Sequence, residues 1–394
     1  MLEKYLKKIF DRSKKKSFDI LDLPTHILSD DKTYSTTTSN DKQYYNIIVH
    51  KCINLIATSA SHVPWLVYTK TRHGTKKLQE HPALKLLKFP NPETTGTDFF
   101  FSLIANMLIH GDSYLVTRHK KNDFPHSIYI LNSENVSVVT NTTSVVGYRH
   151  KIGDYEKLYY INPVTRVSRV LHLKNYNPNS QHKGLSALDV AVKSINLYSR
   201  IIEWNMSLLN NSSKPTGALI FKDSNGYLTD EQFYRLKEQF YDNFTGVSNS
   251  GKPLILEGGL QWQEMHHQQK LEKFLELKDS ISRDIAIVFN VPPQLLGIIG
   301  DNTYSNMQEA RLSFWEENII PLLNKLSGAL SHWLSCWFNE ELIIHYDLDS
   351  ISALNKKRER LWERISGADF MTLNEKRAIV GLAPLEDGDN IQNE

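Results

Sequence analysis

Two long amphipathic stretches constrain the fold of this chain more than any other feature of its sequence. One runs from Ser186 to Asn211 and the other from about Gln268 to Phe289, and in each the apolar residues recur at steps of three and four. The first opens with Ser186 and Asp189 at the spacing of a capping box. As helices, such stretches would extend roughly 33–39 Å at 1.5 Å per residue. Two such helices around a small module indicate a stalk that carries a tip.

The segment between the two stretches has a mixed pattern of its own. Strand-forming residues at 217–221 and 253–257 flank a helical pattern from Thr229 to Phe244. The insert is therefore predicted to be a compact α/β module with one helix between two strands.

The chain that precedes the long helices alternates between helical and strand patterns. Helices are predicted from Tyr44 to a stop at Pro64, from Pro82, and from a cap at Thr97 to Gly111. Strands are predicted at 65–68, 113–118, 127–131, 136–139 and 170–173. This part of the chain should therefore combine helices with a sheet. The polar residues 1–43 predict a mobile N-terminal segment.

The end of the chain is mostly helical in pattern. A third long helix is predicted at 306–338, with a kink at Pro321, because proline removes a backbone hydrogen-bond donor. A strand follows at 342–346, and two short helices complete the chain. One of these lies near 356–365, and Thr372 with Glu375, at capping-box spacing, opens the other. Together the patterns predict an α+β fold built from several regions.

One segment comes close to the pattern of a phosphate-binding loop. Gly246 to Lys252 fits GxxxxGK, but Pro253 stands where the pattern requires a serine or threonine hydroxyl for Mg²⁺. A phosphate-binding loop also follows a strand and opens a helix, whereas here a helix precedes the loop and a strand follows it. The segment is therefore predicted to be a connecting loop and not a nucleotide site.

The remaining polar clusters do not indicate catalysis or metal binding. His266 and His267 are adjacent, so their side chains point in different directions and chelate one ion poorly. His345, Asp347 and Asp349 alternate along a strand but lack a second group of ligands, which favours an edge or surface strand. The sequence predicts no catalytic residues, no metal and no cofactor.

Charge and hydropathy exclude further classes of protein. The net charge is only +2, whereas a domain that grips DNA tightly usually has a large basic excess for neutralising phosphates. No apolar run is long enough to predict a membrane-spanning helix, and the basic start of the chain lacks the pattern of a secretory signal. Cys52 and Cys336 lie far apart without metal-ligand spacing, which predicts two buried thiols in an intracellular chain.

Six short segments, taken in order, resemble the signatures of phage portal proteins. They are HPALKLLKFPNP at 81–92, HGDSY at 110–114, GLSAL at 184–188, KPTGAL at 214–219, LILEGG at 254–259 and FNVPPQLLG at 289–297. Two positions depart from the family pattern, because Ala187 stands where proline is usual and Asn290 where glycine is common. The order and spacing of the segments extend the resemblance from about Tyr44 to Asp389, nearly the whole chain.

The resemblance implies a division of the chain into the regions of a portal fold. These regions are a mixed α/β wing at 44–184, stem helices at 185–212 and 268–290, a small α/β clip at 213–267, a tunnel loop at 291–305, a kinked wing helix with a strand at 306–351, and a short helical crown at 352–394.

The resemblance also implies a function. Portal proteins form homo-oligomeric rings, typically of twelve copies, at one vertex of a virion capsid, and double-stranded DNA passes through without sequence specificity during packaging and ejection. The implied partners are the large terminase subunit, the major capsid protein or scaffold, and a head–tail adaptor, with assembly in the cytoplasm of a bacterial host. The near-neutral charge suits a smooth channel, because tight phosphate contacts would hinder movement of the DNA.

The resemblance assigns the DNA-facing residues to one loop. The predicted tunnel-loop residues are Gly297, Gly300, Asp301, Asn302, Thr303, Tyr304 and Ser305, and Pro292 and Pro293 are predicted to stop the stem helix. Glycines and small polar residues suit a loop that moves beside a passing duplex. Asp301 and Tyr304 are the candidates for DNA contact by their position.

Two other functions stay open on the sequence alone. A packaging ATPase would require an intact phosphate-binding loop, which the sequence lacks. A capsid or adaptor component without a channel would have no need for two long helices that flank an insert, followed by a loop rich in proline and glycine.

Overall fold

The computed structural model describes residues 46–71, 74–119, 124–142, 144–165, 167–211, 217–221, 229–244, 260–264, 271–298, 304–368, 370–380, 385 and 388–389. All of them belong to one unit, residues 43–394. Four of the predictions concern residues outside this set: the N-terminal segment at 1–43, the loop and strand at 246–257, the histidine pair at 266–267, and the tunnel-loop residues 300–303.

The first helix, α1 (Ile47–Ser61), lies in the centre of the core. Asn46 begins it, because its side-chain oxygen accepts hydrogen bonds from the N–H groups of Ile48 and Val49. Its inward face buries Cys52 and Ile56, among others. The helix ends before Pro64, as its sequence predicts.

A three-stranded antiparallel sheet joins the two halves of the chain. Strand β1 (Trp65–Thr71) pairs on one side with β2 (Gly74–Leu78) and on the other with β11 (Leu342–Tyr346), so that Trp65 lies opposite Tyr346. The edge position predicted for 342–346 is confirmed. This pairing joins residues 342–346 to residues 65–69, which lie far earlier in the chain.

Along the chain, two helices lie between this sheet and the next one. His81 caps α2 (Pro82–Lys88), and α3 (Gly96–His110) ends at Gly111, whose φ of 75° is left-handed. The predicted cap at Thr97 is wrong. Thr95 begins α3, because its hydroxyl accepts a hydrogen bond from the N–H of Asp98.

Two further sheets enclose a second, smaller core. One has the order β4 (Ser127–Leu131), β3 (Asp112–Arg118), β8 (Val170–Lys174). The other has the order β5 (Val136–Thr140), β6 (Val145–Ile152), β7 (Tyr155–Tyr160). The core between them contains Tyr114, Val116, Leu131, Val136, Tyr148, Tyr159 and Val170. Strands β6 and β7 were absent from the sequence prediction.

The two long helices and the insert between them are present. Helix α4 (Ala187–Asn211) packs along α6 (Leu271–Val288), and the rings of Trp204 and Phe274 lie 4.2 Å apart between them. The start of α4 has half of the predicted capping box, because Ser186 Oγ accepts a hydrogen bond from the N–H of Asp189.

Within the insert, β9 (Gly217–Phe221), α5 (Asp230–Phe244) and β10 (Leu260–Glu264) follow one another, and β9 pairs with β10. The strand predicted at 253–257 lies outside the described residues. The strand at 260–264, LQWQE, was not predicted, because its alternating polar residues resemble a loop.

The third long helix is one continuous rod with an irregular turn. It consists of α7 (Tyr304–Ser313), a π-helical segment (Phe314–Ile319) and α8 (Ile320–Phe338). The π-helical segment interrupts the regular helix in the turns just before Pro321. The kink at Pro321 itself stays a prediction. Helices α9 (Asn355–Ser366) and α10 (Leu373–Ile379) follow, and the capping box of Thr372 and Glu375 is complete.

No helix among the described residues is both long and apolar enough to cross a membrane.

Candidate functional site

The end of α6 is formed by a residue in the left-handed conformation. Asn290 has a φ of 52°, its N–H donates to Ile287 O, and the N–H of Val291 donates to Ala286 O, both at 2.9 Å. These two bonds are those of a Schellman motif, and Val291 and Ala286 are both buried beneath it. Asparagine tolerates this conformation better than other side chains apart from glycine, which explains why it can replace the glycine of the portal signature.

Two asparagine side chains fasten the end of α6 to the π-helical segment. Asn290 Nδ2 donates to Glu317 O at 3.0 Å, and Asn318 Nδ2 donates to Phe289 O and Asn290 O at 2.9 and 2.8 Å. Regular α-helical bonding would pair the Glu317 carbonyl with the N–H of residue 321, which is proline. The side chain of Asn290 therefore satisfies a carbonyl that Pro321 leaves open. We call Asn290 and Asn318 the asparagine clamp.

The two prolines lie just beyond the end of α6. The helix ends at Val288, and Pro292 and Pro293 begin a 3₁₀ turn that continues to Leu296. Gly297 then takes the left-handed conformation, with a φ of 78°. Two features therefore end the helix. Asn290 turns the chain, and the prolines prevent the helix from continuing.

The structure describes only part of the predicted tunnel loop. Gly297 is exposed, whereas Tyr304 and Ser305 lie in the first turn of α7. Gly300, Asp301, Asn302 and Thr303 lie outside the described residues. Because α7 lies against the 3₁₀ turn, the two ends of the loop are held close together.

The asparagine clamp gives a prediction about stability. Asn290→Gly should lower the free energy of unfolding by roughly 1 kcal/mol, because it removes one hydrogen bond but keeps the left-handed conformation accessible. Asn290→Ala should lower it by roughly 2 kcal/mol, because it also places an ordinary side chain at positive φ. Urea denaturation of both variants under one set of conditions measures the difference. An alanine variant as stable as the glycine variant would show that the backbone conformation is not what requires Asn290.

The segments HGDSY and GLSAL, which carried part of the resemblance, meet in the fold. A Cβ atom at Gly184 would lie 2.0 Å from Gly111 O, so the two glycines bring backbone against backbone. Asp112 Oδ1 accepts hydrogen bonds from the Gly184 N–H at 2.8 Å and from His172 Nε2 at 2.7 Å. This contact fixes the start of α4 on the sheet of β4, β3 and β8, which we call the second sheet. We call the contact the glycine junction.

Charged groups surround the glycine junction. The pair of Asp112 and His172 is more than nine-tenths buried, and the ring of His172 stacks on Tyr114. Burial lowers the pKa of Lys325, whose ammonium group bonds to Asn175 Oδ1 at 3.0 Å, and the charge of Asp112 opposes that shift. A buried hydrogen-bonded pair of this kind orients the groups around it. The contacts of these polar side chains therefore explain their presence by a structural role.

The outward face of α4 presents apolar side chains to solvent. Val190 and Leu197, spaced seven residues apart, are 54% and 46% exposed, and Trp204, seven residues further on, is 39% exposed at the edge of this face, where its ring also packs on Phe274 of α6. The opposite face is buried in the main core and includes Leu188, Ala191, Ile195, Tyr198 and Ile201. Sequence periodicity identified an apolar stripe on this helix but not this second one. Exposed apolar rows of this kind mark interaction surfaces.

The candidate metal group at β11 has other partners. The ring of His345 bonds through Nδ1 to Tyr346 O, and Asp349 forms an ion pair with Arg358. Among the residues that the structure describes, no three His, Cys, Asp or Glu side chains come together as a metal site.

A family model identifies the chain. The model for phage portal proteins matches residues 47–381, which includes every described helix and strand.

This chain belongs to the phage portal protein family.

The chain is similar to a bacterial protein and to a protein of a phage. An uncharacterised protein of Rickettsia bellii is 50% identical over 392 residues, which cover 99% of this chain and all of that protein. The probable portal protein of Streptomyces phage phiC31 is 22% identical over 356 residues, covering 86% of this chain and 75% of the phage protein.

Solved structures place the portal fold in assembled particles. A chain from the neck of a native gene transfer agent particle, computed with C12 symmetry, is 31% identical and covers 88% of this chain and 94% of its own length, with a TM-score of 0.68. A phage portal protein of the HK97 family from Corynebacterium diphtheriae is 14% identical, with 80% and 98% coverage and a TM-score of 0.57, and supports the fold alone. The portal family is structural, and its members form oligomeric rings in capsids and necks.

Proposed function

We propose that this chain is one subunit of a portal ring, with twelve copies at one capsid vertex, through which double-stranded DNA is packaged and ejected. The observation that carries the proposal is the match, at 31% identity over 88% of the chain, to a neck computed with C12 symmetry. A neck also contains proteins other than portals, and the family match to residues 47–381 favours the portal over an adaptor.

The outward face of α4 supports ring formation. Each subunit in a closed ring uses one surface to bind a different surface of its neighbour, and so a single subunit shows unpaired apolar rows. Val190 and Leu197 provide such a row on α4, and Leu275 and Ile287 are exposed on α6. In the proposal these two helices, within the stem regions 185–212 and 268–290, pack against neighbouring copies around the channel.

The segment between α6 and α7 is proposed to face DNA. It leaves α6 through the left-handed Asn290, passes Pro292 and Pro293, and returns to α7, which the asparagine clamp holds beside α6 through the π-helical segment. Short anchored loops can move at their tips while their ends stay fixed. The proposed DNA-facing residues are Gly297, Gly300, Asp301, Asn302, Thr303, Tyr304 and Ser305.

The other regions are proposed to bind protein partners. The clip at 213–267 would contact the large terminase subunit during packaging and the head–tail adaptor afterwards, and the wing at 44–184 and 306–351 would contact the major capsid protein or scaffold. The crown at 352–394 would extend into the particle. Assembly in the cytoplasm of a bacterial host belongs to the same proposal.

The mass of the purified full chain tests the proposal. Mass photometry should show a species near twelve times the subunit mass of 45.5 kDa. A closed ring should keep this mass on dilution, because removing one subunit breaks two interfaces. Only single subunits across the whole concentration range would contradict the proposal.

A further inference from the structure

A cavity lies beside β7, away from the glycine junction and the asparagine clamp. Its volume is about 320 Å³, and part of its wall consists of four consecutive residues of β7, 157–160. Asn162, Val167, Arg169 and Trp337 complete the wall. The indole N–H groups of Trp333 and Trp337 both donate to Ser168 O, at 2.9 and 3.1 Å, and so hold the far wall in place. We call this space the β7 cavity.

The backbone of β7 turns hydrogen-bonding groups away from its sheet, and no backbone partner for them lies among the described residues. Among the described strands, β7 is at the edge of its sheet, and it pairs only with β6. The N–H of Ile161 donates to Val146 O at 2.9 Å, and hydrogen-bonded pairs alternate along an antiparallel ladder. The N–H and C=O groups of Leu158 and Tyr160 therefore point away from β6. Edge strands with open groups of this kind accept an added strand.

The cationic wall of the cavity favours an anion. Arg169 is exposed and Lys157 is half-buried, with its ammonium group 5.4 Å from the centre of the Tyr159 ring. Trp337, Leu158 and Val167 add apolar surface beside these charges. A ligand that matches this wall combines a carboxylate with apolar groups and an extended backbone.

We propose that the β7 cavity binds an extended acidic peptide segment of a partner protein. A side-chain carboxylate of the peptide accepts hydrogen bonds from the Arg169 guanidinium, and the peptide backbone pairs with the open edge of β7. The binding needs only the folded subunit. The peptide-binding proposal can therefore fail while ring formation is correct, and the reverse.

A peptide suits this cavity better than DNA does. Phosphate backbones are bound by many cationic groups, because each neutralised phosphate adds to affinity, and this cavity has two. The unused backbone groups at Leu158 and Tyr160 match a peptide strand, whereas a duplex has no groups that continue a sheet.

Fluorescence anisotropy with a defined peptide tests the proposal. The probe is a labelled peptide of alternating valine and aspartate, and its matched control has asparagine in place of each aspartate. The full chain should bind the aspartate peptide saturably and the asparagine peptide at least about tenfold more weakly, because the charge-assisted hydrogen bonds are lost. Equal binding of the two peptides, or no saturable binding, would contradict the proposal, and so would displacement of the peptide by a short DNA duplex.

Two variants locate the binding at the β7 cavity. Arg169→Gln should raise the Kd for the aspartate peptide about tenfold, whereas the same change at Arg364, which does not line the cavity, should leave it unchanged. An Arg169→Gln variant that binds the aspartate peptide as tightly as the unchanged chain would overturn the assignment.

Discussion

Gly184→Ala should lower the free energy of unfolding by about 3 kcal/mol or more. The new methyl group would lie 2.0 Å from Gly111 O and 2.9 Å from the backbone nitrogen of Asn175. Both of these are backbone atoms that are joined by a hydrogen bond of 2.8 Å, so neither can rotate out of the way. The start of α4 would have to move away from the second sheet, which would also separate the Gly184 N–H from Asp112.

Gly328→Ala is the matched control for this experiment. Gly328 lies within α8, and a Cβ atom there would meet nothing within 4 Å. Alanine should leave stability unchanged or raise it by up to about 1 kcal/mol, since glycine is the poorer helix former. Urea denaturation of both variants under identical conditions gives the comparison. If Gly184→Ala is as stable as Gly328→Ala, the close backbone approach at the glycine junction is not required.

Leu197→Glu should abolish ring formation while the subunit stays folded. Leu197 lies at the middle of the outward face of α4, between Val190 and Trp204, and is 46% exposed in the single subunit. In a ring the same substitution enters every interface, where burying an unpaired carboxylate costs several kcal/mol each time. Because the side chain is half exposed before assembly, the cost falls on the interface and not on the fold.

A substitution of the same chemistry elsewhere serves as its control. Val164 is 88% exposed on the loop after β7, and Val164→Glu should form rings as the unchanged chain does. Mass photometry measures the assembly of both variants, and circular dichroism checks that each is folded. A Leu197→Glu variant that forms rings of the same mass would remove the outward face of α4 from the ring interface.

Local sequence signals were sufficient wherever short-range chemistry decides the structure. Thr372 and Glu375 form the predicted capping box, and Gly111 ends α3 in the left-handed conformation that favours glycine. The strand-forming residues Leu342 to Tyr346 predicted β11 correctly, although its partner β1 lies more than two hundred and fifty residues away along the chain. Such elements are predictable because their caps and periodicity are contained within a few residues.

Strands that lie half in solvent were missed. Residues 145–152, VVGYRHKI, and 155–160, YEKLYY, mix apolar residues with arginine, lysine and glutamate without a clear alternation, so they resemble a loop. Their stability as strands comes from pairing with each other around Gly153 and from Tyr148 and Tyr159 in the second core. That support is tertiary, and single-sequence periodicity does not contain it.

The candidate site was predictable in outline but not in its contacts. The portal signature located the end of α6 and the prolines, yet it gave no sign that Asn290 and Asn318 bridge two rods. The contact between Gly111 and Gly184 was equally hidden, because the two segments are far apart in sequence and meet only through the second sheet. Residue pairs of this kind depend on the packing of whole elements, which local patterns do not specify.

The central claim is that this chain forms a portal ring whose channel is lined by the segment between α6 and α7. A cryo-electron-microscopy map of the purified full chain, at a resolution that shows side chains, tests it most directly. We expect a closed ring in which the outward face of α4 packs against a neighbouring copy and residues 291–305 face the central channel. A map of separate subunits, or a ring with residues 291–305 on its outer rim, would contradict the claim.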